Sequence, residues 1–215
     1  MACCSGYCAA EEYFSQKVAD RDLQRYRRDG PDRITRLLLE ELRRWPLEGR
    51  RLLDVGGGIG VIGAEVSGAG LASLTMVDAS PSYLETARMA LTSRYDERVL
   101  TFIHGDFAAI AATVADADVV TLDRVVCCYP EAQPLLGRAA AKARELLAFT
   151  YPRERWHVRI WGVLENGLLW LRRSKFRAFF HPPAQMRAVL EAAGFARVTQ
   201  RETFLWALDV YRRKR

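Results

Sequence analysis

The sequence predicts an α/β fold: a doubly wound, Rossmann-like mixed sheet of seven strands, with the last strand antiparallel. Two observations predict it. Short apolar runs alternate with amphipathic stretches between residues 51 and 151, as expected of parallel strands joined by helices. Near the end, a helix at 181–195 precedes two strands, at about 197–203 and 204–211, with no helix between them. Those two strands are therefore expected to pair antiparallel at the edge of the sheet.

Two amphipathic helices are predicted before the first strand, over residues 9–28 and 31–45. Between them the sequence DGP at 29–31 interrupts the pattern, since glycine and proline both break helices. We therefore divide the chain into an N-terminal cysteine-containing segment with a lid helix, 1–30, and a main domain, 31–215. The N-terminal helices are expected to lie over the functional site.

Five parallel strands are expected next, joined by helices. One helix opens at Ser80-Pro81, where serine suits the cap and proline suits the first turn. Another, rich in alanine, is predicted over 131–146. The predicted parallel strands are the run RRLLDV, which ends before a glycine turn, and then residues 73–78, 99–105, 117–123 and 146–151.

Length and composition indicate one domain, since 215 residues can bury a single large core and half of them are hydrophobic. Four positive charges sit in the terminal RRKR, 212–215, so a solvated tail explains the net charge of +6 better than nucleic-acid binding does. The N-terminus lacks the features of a secretory signal. The apolar run 158–171 is too short and too polar to span a bilayer. We expect a cytoplasmic protein without a membrane span.

The motif DVGGGIG at 54–60 closes the first strand and is the first candidate for a binding site. Gly56, Gly58 and Gly60 allow a tight turn and a close approach of the backbone to a ligand. Asp54, inside the strand end, could hold an ammonium group directly or through water. Asp78 ends the second strand, at the position where an acid takes ribose hydroxyls.

A further acid, Asp106, follows the third strand in the motif HGDF at 104–107. Beside Phe107, its short side chain could face an adenine edge. The alternative is a structural role as the N-cap of the next helix. Both readings of Asp106 stay open from the sequence.

Taken in order, the motifs LLDVGGGIG, VDAS, HGDF and TLDRVVCCYP resemble those of the class I S-adenosylmethionine-dependent methyltransferases. The late helix PPAQMRAVLEAAGF, followed by two strands, is similar to the usual ending of that family. The resemblance extends from about residue 30 to the end. It implies that S-adenosylmethionine is the cofactor, with Asp78 at its ribose, Asp106 at its adenine and Asp54 near its amino-acid end. The cofactor-binding residues expected on this basis are Asp54, Gly56, Gly57, Gly58, Gly60, Asp78, Ala79, Asp106, Phe107 and Asp123.

One subgroup resembles this chain more closely at the N-terminus. Residues 13–42 look loosely like the leading helices of magnesium-protoporphyrin methyltransferases, but the cysteine clusters depart from that pattern. On the acceptor side we expect Asp123, Tyr129 and His181 to be catalytic, with Tyr129 bordering the transferring methyl group. His181 follows a strand-like run, 175–180.

An apolar helical insertion is predicted at about 152–175, and it is rich in tryptophan and leucine. Three readings stay open for it: a lid over an apolar acceptor, a subunit contact that would make a homodimer, or simple core packing.

The five cysteines form two clusters, and they raise a separate hypothesis. Cys127 and Cys128 follow the fourth strand, where they are either small buried hydrophobes or a thiol lining of the acceptor pocket. With thiols from the N-terminus they could bind a soft metal or a metalloid, or an exposed pair could sense redox state. The predicted ligands are Cys3, Cys4, Cys8 and Cys128.

The sequence thus predicts methyl transfer from S-adenosylmethionine to a small apolar or aromatic acceptor, at oxygen, nitrogen or carbon. One alternative is a metalloid or thiol methyltransferase that uses the cysteines. Another is a non-catalytic sensor that binds the cofactor or a metal. A nucleic-acid methyltransferase is disfavoured, because CCYP at 127–130 replaces the Asn/Asp-Pro-Pro-aromatic signature of amino-group DNA methylation.

Overall fold

The computed structural model describes residue 9 and residues 12–214. It contains a seven-stranded sheet in the order β3-β2-β1-β4-β5-β7-β6. Strands β1 to β5 pair in parallel, and β7 runs antiparallel to both of its neighbours. The doubly wound mixed sheet predicted from the sequence is confirmed. The strands are β1 Arg51–Val55, β2 Ser73–Asp78, β3 Leu100–His104, β4 Ala117–Leu122, β5 Ala143–Pro152, β6 Phe195–Glu202 and β7 Trp206–Arg213.

Helices cover both faces of this sheet. Among the described residues they are α1 Gln16–Asp29, α2 Arg33–Leu42, α3 Val61–Glu65, α4 Pro81–Leu91, α5 Phe107–Ile110, α6 Ala132–Lys142, α7 Trp156–Leu171 and α8 Pro183–Ala192.

Several element ends differ from the prediction. Helix α2 ends at Leu42, three residues early, because Trp45 precedes a proline and such a residue disfavours the helical conformation. Strand β5 begins at Ala143, inside the predicted helix 131–146, because its start pairs with Ala117 of β4. The strand-like run 175–180 forms no strand. In each case pairing or sterics beyond the local pattern set the boundary.

Strand β1 shows why the sheet is central. Leu52 packs in the core layer beneath α2, α3 and α4, and Leu53 packs in the opposite layer with α6 and α8. Both side chains are buried, as continuous apolar runs are in parallel strands covered on two faces. Chain connection reverses between β1 and β4, so a crevice opens at their carboxyl ends.

The N-terminal helix α1 closes this crevice from one side. Tyr83 in α4 donates its hydroxyl proton to Asp22 in α1 at 2.7 Å, and the Ser80 hydroxyl donates to the Phe14 carbonyl at 2.6 Å. The prediction that N-terminal helices lie over the site is consistent with these contacts. The proposed division at residue 30 stays a prediction. No helix in the described residues has both the length and the apolar character needed to cross a membrane.

Candidate active site

A cavity of about 760 Å³ occupies the crevice at the carboxyl ends of β1, β2, β3 and β4. Its walls come from segments spread between Tyr13 and Trp206. Most of the residues predicted from the sequence line it. Those lining residues are Asp54, Gly56, Gly57, Gly58, Asp78, Ala79, Asp106, Phe107, Asp123, Cys128 and Tyr129.

The turn after β1 requires its glycines. Gly56 has φ +63°, and a Cβ there would lie 2.3 Å from Val125 Cγ2. A Cβ on Gly57 would lie 2.8 Å from Asp54 Oδ2. These positions therefore let the backbone itself form the wall of the cavity.

Gly60 lies apart from the other glycines of the turn. It does not line the cavity, and its Cβ position lies 3.1 Å from Leu91 Cδ1 and 3.2 Å from Ala87 Cβ in α4. With φ +81°, it begins α3 in a left-handed conformation and lets that helix pack closely on α4. Gly60 therefore serves helix packing, and its predicted role at the cofactor stays a prediction.

Asp54 is buried beneath the glycine turn, and only one of its two carboxyl oxygens has a hydrogen-bond partner among the described residues. Its Oδ1 accepts a hydrogen bond from Thr121 Oγ1 at 2.7 Å, and its Oδ2 has no partner among the described residues. Burial raises the pKa of Asp54 to about 7, against the lowering effect of the Thr121 bond, and the nearby Asp123 and Asp78 raise it further. A cationic group at this oxygen would relieve the cost of ionising the carboxyl.

Asp78 holds the shape of the same turn. Its Oδ2 accepts from the Gly58 N–H at 2.9 Å, and its Oδ1 accepts from the Ser80 N–H at 2.8 Å. Burial raises its pKa, and these backbone hydrogen bonds lower it. The side chain therefore ties the end of β2 to the glycine turn at the cavity wall.

Asp106 caps α5, which was one of its two predicted roles. Its Oδ1 accepts from the Ala108 N–H at 2.9 Å and from the Tyr129 hydroxyl at 2.7 Å. Burial, followed by the hydrogen bond to Asp106, raises the pKa of Tyr129. The cap does not exclude a contact of Asp106 with adenine, which stays a prediction.

Asp123 follows the end of β4 and is held by two threonines that no sequence pattern singles out. Its Oδ1 accepts from Thr150 Oγ1 at 2.7 Å, and its Oδ2 accepts from Thr35 Oγ1 at 2.5 Å. Thr35 belongs to α2 and Thr150 to β5, so only the folded chain brings them together. The two hydroxyls thus hold the carboxylate of Asp123, and Thr35 Oγ1 also lies 3.0 Å from Asp32 Oδ1.

Arg124 is a further residue that sequence reasoning missed. It lines the cavity with φ +58°, a conformation uncommon for a residue with a side chain. Its guanidinium contacts Asp32 Oδ2 at 2.7 Å, while its buried Nε has no hydrogen-bond partner in the described chain. Its N–H donates to Thr150 Oγ1 at 2.7 Å, which stabilises this backbone conformation.

The paired cysteines turn inward. Cys127 is buried, and the Sγ atoms of Cys127 and Cys128 lie 3.4 Å and 3.6 Å from the carbonyl oxygen of Arg124. The pKa of Cys128 is raised, first by its hydrogen bond with Cys127 and then by burial. Cys3, Cys4 and Cys8 lie outside the described residues, and within the described chain no three His, Cys, Asp or Glu side chains are grouped to hold a metal ion.

His181 was predicted to be catalytic, but it does not line the cavity. Its Nε2 lies 2.9 Å from the carbonyl oxygen of Tyr129. This contact joins the segment after α7 to the loop after β4. A catalytic role for His181 stays a prediction.

An aromatic wall forms the outer half of the cavity. Tyr13 stacks on Phe176 with ring centroids 4.6 Å apart, and Phe14 packs edge-on against Phe176 at 5.5 Å. Helix α7 adds Trp161, and it approaches the wall closely because Gly162 leaves room for the Phe180 ring. Cavity-lining members of this wall are Tyr13, Phe14, Trp161, Phe176, Phe180 and Trp206.

The inner half of the cavity fits a nucleoside cofactor with a cationic amino-acid end. The side-chain-free wall at Gly56 and Gly57 admits a ligand close to the backbone, and the unpartnered Asp54 oxygen suits an ammonium group. Asp78 presents a carboxylate at the place expected for a ribose. These residues fit the cofactor implied by the sequence.

Comparison with known proteins agrees. Residues 24–124 match the family model of the methyltransferase small domain. No curated protein matches this chain. The solved structures that resemble it include S-adenosylmethionine-dependent methyltransferases, and at these identities the likeness establishes the fold.

Three of these structures illustrate the range. Magnesium protoporphyrin IX methyltransferase from Synechocystis PCC 6803, with bound SAH, has a TM-score of 0.75 and 19% identity over 97% of this chain and 100% of that one. A TehB-like SAM-dependent methyltransferase from Corynebacterium glutamicum has a TM-score of 0.65 and 16% identity, covering 93% and 100%. An O-methyltransferase family 2 protein from Planctomyces limnophilus, in complex with apigenin, has a TM-score of 0.60 and 19% identity, covering 86% and 63%.

Proposed function

Since this chain carries a class I S-adenosylmethionine-dependent methyltransferase domain, we propose that it methylates a planar, apolar or aromatic small molecule bound against the aromatic wall. The enzyme class and the cofactor follow from the family match and the fold. The acceptor is the proposal, and one observation carries it: the six aromatic residues of the wall line the cavity, and three of them, Tyr13, Phe14 and Phe176, pack on one another there.

Within the proposal, the inner half of the cavity holds the cofactor. The backbone of Gly56 to Gly58 lies along it, Asp78 takes the ribose hydroxyls, and Asp54 takes the ammonium group. The sulfonium of the cofactor supplies an activated methyl group, so the protein has mainly to align the acceptor. Asp54 contributes by releasing its proton to solvent and pairing, as a carboxylate, with the ammonium group of the cofactor.

The aromatic wall orients the acceptor. Flat rings offer large apolar surfaces to a planar ligand, and stacked or edge-on contacts fix its tilt. Tyr13, Phe14 and Phe176 brace one another, so these rings keep their positions when the site is empty. A preformed wall saves the entropy of ordering side chains on binding.

Asp123 and Tyr129 act in this proposal by positioning. Each oxygen of Asp123 already accepts a threonine hydroxyl, and the Tyr129 hydroxyl donates to Asp106. Because the pKa of Tyr129 is raised, its phenol stays protonated at neutral pH. The arrangement favours an acceptor atom that is nucleophilic without a strong base, such as a carboxylate, a phenolate or an amine.

Thiol-based transfer to a metalloid has no support in the described site. Such chemistry needs thiolates, whereas the hydrogen bond with Cys127, followed by burial, raises the pKa of Cys128. The alternative of a non-catalytic sensor predicts cofactor binding without turnover, so a turnover assay discriminates the sensor from an enzyme.

The test has two steps. Isothermal titration with S-adenosylhomocysteine comes first and measures the affinity of the inner half of the cavity for the cofactor product. Turnover with labelled S-adenosylmethionine is then measured against planar phenols, flavones, planar carboxylates and porphyrins, with trivalent arsenite and small aliphatic thiols as the competing class. Methylation of a planar acceptor supports the proposal. Methylation only of arsenite or thiols, or cofactor binding with no turnover on any acceptor, would overturn it.

A further inference from the structure

We propose that helix α7 docks the protein on an anionic membrane surface, lying flat in the interface with the mouth of the cavity beside it. The docking goes beyond the proposed function, because it depends on the outside of α7 and not on the identity of the acceptor. Three features of α7 carry it: its unpartnered apolar face, the charges at its ends, and its position at the cavity.

Helix α7 buries only a narrow stripe. Val158, Gly162 and Leu169 are its buried residues, and they recur at helical spacing on one side. The opposite side faces solvent, with Trp156 75% and Trp170 71% exposed. The exposed large apolar side chains on this helix are Trp156, Ile160, Trp161, Val163, Leu164, Leu168, Trp170 and Leu171.

The helical repeat gathers these residues into one continuous face. At 3.6 residues per turn, Trp156, Ile160, Val163, Leu164 and Leu171 point away from the buried stripe, whereas Glu165, the acidic residue of this helix, lies on the cavity side. The sixteen residues of α7 make this face roughly 24 Å long. Contiguous exposed patches of this kind mark interaction sites rather than ordinary surface.

Charges at both ends of α7 select the partner. Arg155 and Arg159 lie at its start, next to the exposed Glu154, and Arg172 and Arg173 follow its end. All four arginines are exposed and form no ion pair within the described chain, and together they outweigh the one carboxylate. Cations at a helix N-terminus interact unfavourably with the helix dipole. The stability of α7 therefore does not explain why Arg155 and Arg159 lie there. An apolar face between two cationic ends, with tryptophan near each end, matches a helix that lies in the headgroup region of an anionic bilayer.

A second copy of the chain fits the same face less well. In a two-fold antiparallel pairing of α7, the start of each helix meets the end of the other. Arg155 and Arg159 of one copy would then face Arg172 and Arg173 of its partner, and like charges disfavour that contact. An anionic surface neutralises all four.

The docked face adjoins the cavity. Val158, Trp161 and Glu165 of α7 line the cavity, while Trp156 and Ile160 of the same turns face outward. Phe204, 69% exposed, extends the apolar surface. Its ring stacks on the ring of His157 in α7, with the ring centroids 4.6 Å apart. If the proposed function holds, an apolar acceptor dissolved in the bilayer reaches the site without crossing water.

The test is co-sedimentation of the full-length protein with phosphatidylcholine vesicles and with vesicles of equal parts phosphatidylcholine and phosphatidylserine. We expect binding to the anionic vesicles and much weaker binding to the neutral ones. The double variant Trp156→Ser/Trp170→Ser should bind anionic vesicles at least tenfold more weakly. Its matched control, Met89→Ser/Val198→Ser, removes two exposed apolar residues elsewhere and should bind as the wild type does.

A second pair of variants isolates the charge. Arg159→Gln/Arg172→Gln should weaken binding roughly fivefold for each arginine, since a cation near an anionic surface contributes about that factor. Arg36→Gln/Arg138→Gln, which removes two exposed arginines from other helices, is its control. S-adenosylhomocysteine affinity, measured on every variant, verifies the fold and keeps the membrane result separate from the proposed methyl transfer.

Three results would overturn the docking proposal. The first is no binding of the wild type to anionic vesicles. The second is equal binding to neutral vesicles with no effect of the arginine changes. The third is a concentration-dependent dimer, seen by light scattering without vesicle binding, that the tryptophan variants abolish; that result would assign the face to a second copy.

Discussion

The two halves of the cavity are built in different ways. The inner half is made by short turns at the ends of β1, β2 and β3, where backbone and carboxylates form the wall. The outer half is made by large side chains from distant segments, such as Tyr13 stacked on Phe176. A local turn carries its own signature in the sequence, whereas a wall of packed rings depends on the whole fold. Changes in the inner half should therefore act on the cofactor, and changes in the outer half on the acceptor.

The largest expected effect is from Gly56→Val, in the inner half. The side chain would meet Val125 and would require a backbone conformation that residues with a Cβ rarely adopt. We expect at least a hundredfold loss of S-adenosylhomocysteine affinity, measured by isothermal titration. Gly68→Ala is the control, because nothing lies within 4 Å of its Cβ position and its φ is not left-handed. An unchanged affinity in Gly56→Val would mean that the glycine turn does not form the cofactor wall.

Asp54→Asn should be next in size and should show its effect through pH. Because the pKa of Asp54 is about 7, its carboxylate forms as pH rises through neutrality. Wild-type affinity for the cationic cofactor should therefore rise between pH 6 and 8. The variant should bind roughly tenfold more weakly at pH 8, with little pH dependence. A parallel pH dependence in both proteins would exclude Asp54 as the group responsible.

Asp54 should also set the stability of the cofactor-free protein. Its pKa in the folded state lies above the usual value of 3.8, so the folded state keeps a proton that the unfolded chain loses. The favourable contribution of the protonated Asp54 to the free energy of unfolding is present below pH 4 and is lost as pH rises through about 7. Replacing the carboxyl by asparagine should stabilise the free protein at pH 8, by up to about 4 kcal/mol. Urea unfolding at pH 5 and pH 8 measures the difference.

Trp161→Ala tests the outer half. Trp161 lines the cavity and is also 59% exposed, so its removal should leave the fold intact. We expect the KM for a soluble planar acceptor to rise about tenfold, equivalent to about 1.4 kcal/mol, with S-adenosylhomocysteine affinity unchanged. Trp156→Ala, on the same helix but outside the cavity, should leave both values near wild type. Equal effects of the two changes would place the acceptor elsewhere.

The smallest effect is expected from Cys128→Ala. Its thiol makes only weak sulfur hydrogen bonds, one with Cys127 and a long one with the Arg124 carbonyl, and it is protonated at neutral pH, so the substitution should cost less than about 1 kcal/mol of stability. Turnover on a planar acceptor should stay within twofold of wild type. A loss of turnover with intact cofactor affinity would revive the thiol mechanism.

Much of the fold could be predicted from local patterns. The order of strands and helices, and the antiparallel pairing of β6 with β7, were read from hydrophobic runs and from the missing helix between them. Element ends were less accurate, as at α2 and β5, because strand pairing and proline sterics set them. The run 175–180 has a strand-like pattern but forms no strand, and its Phe176 and Phe180 belong to the aromatic wall.

The site was only partly predictable. The glycine turn, Asp54 and Asp78 lie where their spacing after apolar runs indicated. Arg124, Thr35 and Thr150 carried no such signal, since a threonine in a helix or a strand has no distinctive pattern. Gly60 belongs to the same glycine-rich motif as Gly56 and Gly58, but it allows α3 and α4 to pack closely, which the motif alone does not indicate.

The sequence by itself determined the sheet, the glycine turn and the acids at the strand ends, because each depends on backbone conformations and periodicities that a few adjacent residues impose. Only the tertiary structure decided which threonines hold Asp123 and which rings form the aromatic wall. It also decided that α7 turns an apolar face outward. Those contacts join residues far apart in the chain, and packing of the whole core sets their geometry.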